Sequence, residues 1–234
     1  MTALNLGHNE IGQSSIASQK LAKALADKTH LRELSVSDNG VGLEFVRLLL
    51  RSTSLVSLDI SMNWLGEGAG EMLREALETR MASSLRVLNC SNMSMGCDGA
   101  QELVKCLGVL EELNMSANDL GSLHRIARPL MLCSTLKRLN LSYSGLGLCG
   151  PESAWELARE MKDSSASLED LDFSGNDIGG LGAFSLAEAL EAHTVLKKLN
   201  LRNNDIDNSG ASRLAQALLI NTCLQELNLR CLPL

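Results

Sequence analysis

The sequence predicts an α/β solenoid, a chain wound from one small unit rather than packed around one irregular centre. Three observations carry this expectation. A pattern of the form Leu-x-x-Leu-x-Leu-x-x-Asn-x-Leu returns, with conservative swaps, in nine registers along the 234 residues. Its fourth and sixth places are apolar between polar neighbours, as in "LNL" at 139–141, which is the period of a strand with one buried face. The second half of most units carries apolar residues three and four apart, as at Ala183, Leu186, Ala187 and Leu190, which marks one stripe of a helix. Neither stripe can be buried within its own unit, so the units must stack.

The registers begin at Met1, Leu31, Leu55, Leu85, Leu110, Leu136, Leu168, Leu196 and Leu224, so successive starts lie 24 to 32 residues apart. About eight repeats and a partial ninth fill residues 1–234 as a single domain. The composition agrees: 45% of residues are hydrophobic but only 3% are aromatic, which suits many small, similar packing layers.

The clearest copies are "LEDLDFSGNDIG" from Leu168 and "LKKLNLRNNDID" from Leu196, followed by "GAFSLAEAL" at 182–190 and "GASRLAQAL" at 210–218. Together they resemble the leucine-rich repeat family in its ribonuclease-inhibitor-like subtype. The resemblance covers essentially the whole chain and implies a horseshoe with a parallel sheet on its concave face and helices on its convex face.

Two units should deviate. Pro129 falls inside the helical part of the unit from Leu110, where a missing donor and a clash with the preceding turn predict a broken or very short helix. Pro151 precedes "ESAWELAREM" and should instead start a helix, with the extra residues of that unit lengthening the loop "GLGLCG" at 145–150. Met1 already occupies the first place of a unit and Leu234 the eleventh of another, without a recognisable cap. This predicts a piece of a larger protein, with uncapped ends open to self-association.

A net charge of −7 and a pI near 5.2 argue against a nucleic-acid surface, which needs clustered Lys and Arg. No apolar run approaches the roughly 20 residues of a membrane span. Seven cysteines without recurring spacing, and no signal-like start, point to a reducing intracellular setting, cytoplasmic first and nuclear second. Four Asn-x-Ser triplets begin at Asn89, Asn92, Asn114 and Asn140, but three share one place of the repeat and read as repeat positions rather than glycosylation sites.

Nothing in the sequence points to catalysis, a metal or a cofactor. His8, His30, His124 and His193 occupy different places in their units and read as surface or loop residues. No Cys-x-x-Cys or His-x-x-x-His spacing marks a metal site. Cys90, at a buried sixth place, reads as a small core residue, and Cys106 and Cys133 as backing for helices. The glycines after the Asn-x-Leu turn lack the Lys-Ser or Lys-Thr end of a phosphate loop.

Binding candidates lie on the outward strand places and the rim. Places five and seven are mostly Asn, Asp and Ser, with Arg202 and Arg230 standing out in place seven as a small basic end. Place three runs Glu112, Arg138, Asp170, Lys198, Glu226, which reads as a ladder of mutually compensated charges more than a docking stripe. Met62 and Trp64, at places eight and ten, and Tyr143, at place eight, sit where strand becomes loop, and aromatic residues are enriched among binding hot spots. Trp155 and Phe184 hold matching helix positions, which predicts side-by-side packing, with an outer-face contact patch as the alternative.

The resemblance implies a non-catalytic intracellular protein-recognition module or scaffold, with a protein partner and no nucleic acid, membrane or cofactor. It leaves open a GTPase activator of the Ran-activator type and a structural spacer within a larger receptor or scaffold. One internal oddity remains. Place nine is Asn in six of nine copies, but it is Met93 in "LRVLNCSNMSMG" at 85–96 and Ser144 one register further on but one. Met93 can fill that space without making an amide's hydrogen bonds, which predicts a weakened rung, with Asn92 as a local substitute.

Overall fold

The computed structural model describes residues 1–78, 84–148, 150–163 and 167–231. Each strand falls on places three to five of its repeat, and the strands follow one another in chain order. Place four points inward in every strand because its apolar side chain alternates with polar neighbours; Leu58, Leu88 and Leu171 are buried.

The chain divides into two compact units. In the first, Met1–Asn118, β1 (Ala3–Asn5), β2 (Glu33–Ser35), β3 (Ser57–Asp59), β4 (Val87–Asn89) and β5 (Glu112–Asn114) pair in parallel, place three against place three. Helices α1 (Ser15–Ala26), α2 (Leu43–Leu49), α3 (Gly68–Glu78) and α4 (Gly96–Leu103) connect them. In the second, Asp119–Leu234, β6 (Arg138–Asn140), β7 (Asp170–Asp172), β8 (Lys198–Asn200) and β9 (Glu226–Asn228) repeat the arrangement. Their helices are α5 (Ala127–Leu132), α6 (Glu152–Asp163), α7 (Gly179–Ala192) and α8 (Asn208–Leu218). The fold is an α/β leucine-rich repeat solenoid.

Between sheet and helices lies a layered core. Places one, four and six supply the strand side, as Leu168, Leu171 and Phe173 do in one layer, while Ala183, Leu186, Ala187 and Leu190 supply the helix side. Each fully buried Leu or Phe contributes about 1.5–3 kcal/mol of transfer free energy. Neighbouring α-helices approach closely through small residues: a Cβ on Gly70 would stand 1.8 Å from the carbonyl oxygen of Gly99.

The prolines act where they fall. Helix α5 has only six residues, and Pro129 lies in its first turn, where its missing N–H has no intrahelical partner to lose. Pro151 directly precedes α6 and its carbonyl accepts from Trp155 N at 3.0 Å, opening the helix. In the 145–150 loop, the backbone turns back through Gly150 N to Gly147 O at 2.9 Å; Cys149 lies outside the described residues, as does Leu234.

Replacing Gly70 with Ala should destabilise the protein by at least about 1–3 kcal/mol, because the methyl group meets backbone rather than a flexible side chain. Gly108→Ala, which meets nothing within 4 Å, should stay within about 0.5 kcal/mol by denaturant unfolding.

Candidate functional site

The surface is organised by the turn that follows each strand. Its backbone enters the left-handed region twice, at places eight and ten, as in Asp38 and Gly40 (φ 51° and 61°), Ala117 and Asp119, and Asn203 and Asp205. Such a turn leaves several amides and carbonyls that cannot pair locally.

Place nine resolves them across units. Asn63 is representative: its Nδ2 donates to the carbonyls of Ile60 and Ser61 in its own turn and of Val36 in the preceding one, at 2.9–3.1 Å. Its Oδ1 accepts from the Asn39 and Val41 amides of the preceding turn, both at 3.1 Å. Asn118 serves Cys90, Met93 and Met95 in the same way, and Asn176 serves Leu141, Ser144 and Leu146. Each asparagine therefore closes the turn before its own.

Met93 interrupts this series with its side chain fully buried. Its own turn stays closed, since Asn118 Oδ1 accepts from the Met93 and Met95 amides at 3.0 and 3.2 Å. The gap falls one unit earlier: among the described residues the Asn63 and Leu65 amides have no acceptor, while Gly66 N still reaches Met93 O at 2.9 Å. Asn92 does not stand in, because its side chain makes none of these bonds. Ser144 uses a different solution, its backbone carbonyl accepting from Leu120 N at 2.8 Å.

Place five is structural as well. Asn89, Asn114, Asn140, Asp172, Asn200 and Asn228 each accept from the amide two residues on, at 2.8–3.2 Å. This explains three of the four Asn-x-Ser triplets, at Asn89, Asn114 and Asn140, as a local cap repeated by the fold.

Against this background Met62, Trp64 and Tyr143 stand apart. All three occupy left-handed positions, with φ of 59°, 51° and 52°, where bulky side chains are uncommon. Trp64 is 72% exposed and shares its turn with exposed Met62, so one turn holds two strained apolar residues in solvent. Tyr143 lies along its row of turns in the second unit. Its ring covers Gly175, where any Cβ would come 2.4 Å from the ring carbons, and its hydroxyl accepts from Asn203 Nδ2 at 3.0 Å. The sequence reading missed both partners; a glycine at place eight, one register after a tyrosine, was the available signal.

On the sheet face of the second unit, Arg138, Asp170, Lys198 and Glu226 lie opposite one another in register. Lys198 Nζ pairs with Glu226 Oε2 at 3.1 Å, and partial burial raises the Asp170 carboxyl above its usual range despite Lys198 and Arg138. Of the charge column read from the sequence, the Lys198–Glu226 pair is formed; Glu112 belongs to the first unit. In place seven Arg202 and Arg230 follow the adjacent strands β8 and β9 by two residues, and Arg202 Nε is buried without an acceptor.

On the helix side, Trp155 and Phe184 are exposed, each with an arginine over its ring. Arg159 lies 5.1 Å from the Trp155 ring centre and Arg213 5.2 Å from that of Phe184. His8, His30 and His124 are exposed, but His193 is buried at the C-terminus of α7. Its Nδ1 accepts from Leu196 N at 3.2 Å, and burial lowers its pKa, holding the neutral form that can accept. Cys90 is buried as a core residue, donating Sγ–H to Asn114 O, and burial raises its thiol pKa. Cys106 is half-buried beside α4 and its thiol is pushed up to about 12 by the same cause. No helix among the described residues is long and apolar enough to cross a membrane.

Comparison with known proteins agrees with this geometry. The family model described as "Leucine Rich repeat" matches residues 27–44, 51–73, 164–187 and 192–215. The Tonsoku-like protein of Mus musculus is 30% identical over 205 residues, covering 80% of this chain and 14% of that protein. The ribonuclease inhibitor of Sus scrofa is 30% identical over 148 residues, covering 61% of this chain and 31% of the inhibitor. The solved structure of the leucine-rich repeat-containing protein LegL7 from Legionella pneumophila aligns with a TM-score of 0.64 at 19% identity, covering 97% of this chain and 82% of LegL7. The chain thus spans a third or less of these two relatives by sequence. It is a leucine-rich repeat protein of the ribonuclease-inhibitor-like type.

The ladder makes a direct prediction for the interrupted rung. Met93→Asn supplies acceptors for the Asn63 and Leu65 amides but gives up some apolar burial. A net gain of about 1 kcal/mol follows, or about 2–4 °C in Tm by calorimetry. A clear fall in Tm would show that the turn is closed differently.

Proposed function

We propose that the chain is a non-catalytic protein-recognition module of a reducing intracellular compartment, holding a partner against the rim of its repeats. One observation carries this reading: Met62, Trp64 and Tyr143 keep bulky, exposed side chains at left-handed turn positions. A residue with a Cβ costs about 1–2 kcal/mol in that conformation, and most other units use Gly, Asn, Asp or Ser there. Strain retained at an exposed aromatic on a rigid scaffold is what a binding anchor requires. Beneath Tyr143 the turn is closed by Asn176 Oδ1, which accepts from the Ser144 and Leu146 amides, so little ordering entropy remains to be lost there on association.

The relatives support a binding role by name in one case, since the porcine protein is a ribonuclease inhibitor. The free cysteines, with Cys90 in the core, support a reducing, cytoplasmic setting.

The test separates binding from folding. Trp64→Asn relieves the backbone and should leave Tm unchanged or slightly raised, while Trp64→Asn and Tyr143→Ala each weaken capture of an identified partner by about tenfold or more. Unchanged affinity in both variants would contradict the assignment. GTP hydrolysis by small GTPases should be unaffected by the chain, and a sizeable acceleration would contradict a purely binding role.

A further inference from the structure

The second unit holds a charge arrangement that its own packing does not explain. Its place-three ladder is compensated, with Lys198 bonded to Glu226 and Asp170 opposite both Arg138 and Lys198. Asp172 is also satisfied, accepting from Ser174 and from Asn200 Nδ2 at 3.0 Å. Arg202 and Arg230 are not. Among the described residues neither has a carboxylate within ion-pair distance, and Arg202 Nε is shielded from solvent with no acceptor.

These two arginines are neighbours. Just past the ends of β8 and β9 the parallel pairing continues, Leu201 N donating to Asn228 O at 2.8 Å and Asn203 N to Arg230 O at 3.0 Å, which puts them side by side, about 4.8 Å apart at the backbone. Like charges set directly opposite in a sheet destabilise it, and a buried donor without an acceptor costs more. They are also joined to the Tyr143 latch. Arg202 O accepts from Gly175 N at 2.8 Å and Arg230 O from Asn203 N at 3.0 Å, and Gly175 and Asn203 are the two residues on which the tyrosine rests. A fixed, half-exposed ring therefore rests on residues whose backbone is bonded directly to that of both arginines.

We propose that this face docks an acidic, extended segment of a protein partner, its carboxylates on Arg202 and Arg230 and an adjoining apolar side chain on the Tyr143 ring. The proposal deepens the recognition role above and rests on it. Guanidinium forks match carboxylates in bidentate pairs, and Nε is one of the two donors of such a pair. Acidic residues two apart in an extended segment lie about 6.6–6.8 Å from one another, within the spread of two neighbouring arginine stems. The remaining surface selects against a continuous polyanion. Asp170, Asp172 and Glu226 line the strands that lead to the pair, and the chain carries a net charge of −7, so attraction is confined to the two arginines.

The test titrates the full chain with a glutamate-rich peptide of about ten residues bearing one central leucine. Its glutamine counterpart and an oligothymidylate of similar length serve as controls. The glutamate peptide should shift the Arg202 Nε–H resonance and bind about tenfold or more tighter than the glutamine peptide. Arg202→Gln with Arg230→Gln should abolish that difference without lowering Tm. Lysine at both positions, which keeps charge but not the fork, should recover only part of it. Equal affinity of the native chain and the double glutamine variant overturns the proposal, as does an oligothymidylate binding as tightly as the peptide. An identified protein partner that binds through Trp64 and is retained by the double variant overturns this site while leaving the recognition role standing.

Discussion

The structure depends on one hydrogen-bonding constraint, the closing of a post-strand turn by the place-nine asparagine of the next unit, which only Met93 and Ser144 interrupt among the described residues. A backbone that turns through two left-handed residues leaves amides and carbonyls facing inward, where water cannot serve them. One primary amide offers two donors and one acceptor oxygen, enough for five backbone groups when placed as Asn63 is. Because those groups belong to two consecutive units, the asparagines add a third coupling between repeats to the strand ladder and the apolar core. Stacking and turn closure thus become one cooperative event.

That coupling gives the surface its properties. Turn backbones fixed from below can present side chains without moving, so even strained conformations are held. Tyr143 exploits this, its turn closed by Asn176, and adds a second restraint through Gly175 and Asn203, whereas Met62 and Trp64 occupy the turn that Met93 leaves open. The polar columns of the sheet face divide along the same line. Place five serves its own turn and place three compensates itself in the second unit, so the residues left with unused donors, Arg202 and Arg230, become informative.

Much of this was legible in the sequence, and physical reasons separate what was from what was not. The strands, the buried stripe of α7, the short α5 and the start of α6 follow from periodicity and proline chemistry, which act within a few residues. The weakened rung at Met93 was also readable. Its consequence was displaced by one unit, because the asparagine's acceptor serves the preceding turn and pattern alone does not say which way it reaches. The Tyr143 contacts span 60 residues to Asn203. Arg213 covers Phe184 because α8 packs beside α7, and His193 is buried by a cap position that no place in the repeat announced. Each of these depends on what lies beside a residue in the next layer, which a one-dimensional pattern does not specify.

Native-state hydrogen exchange tests the ladder most directly, since it reads each amide separately. The account predicts slow exchange at Asn39, Val41, Met93, Met95 and Ser144, whose amides meet an asparagine oxygen. It predicts exchange at least about tenfold faster at Asn63 and Leu65, which face the Met93 rung. Equal protection at Asn63, Leu65 and their counterparts would contradict the claim that the side-chain amide, rather than burial alone, closes the turn.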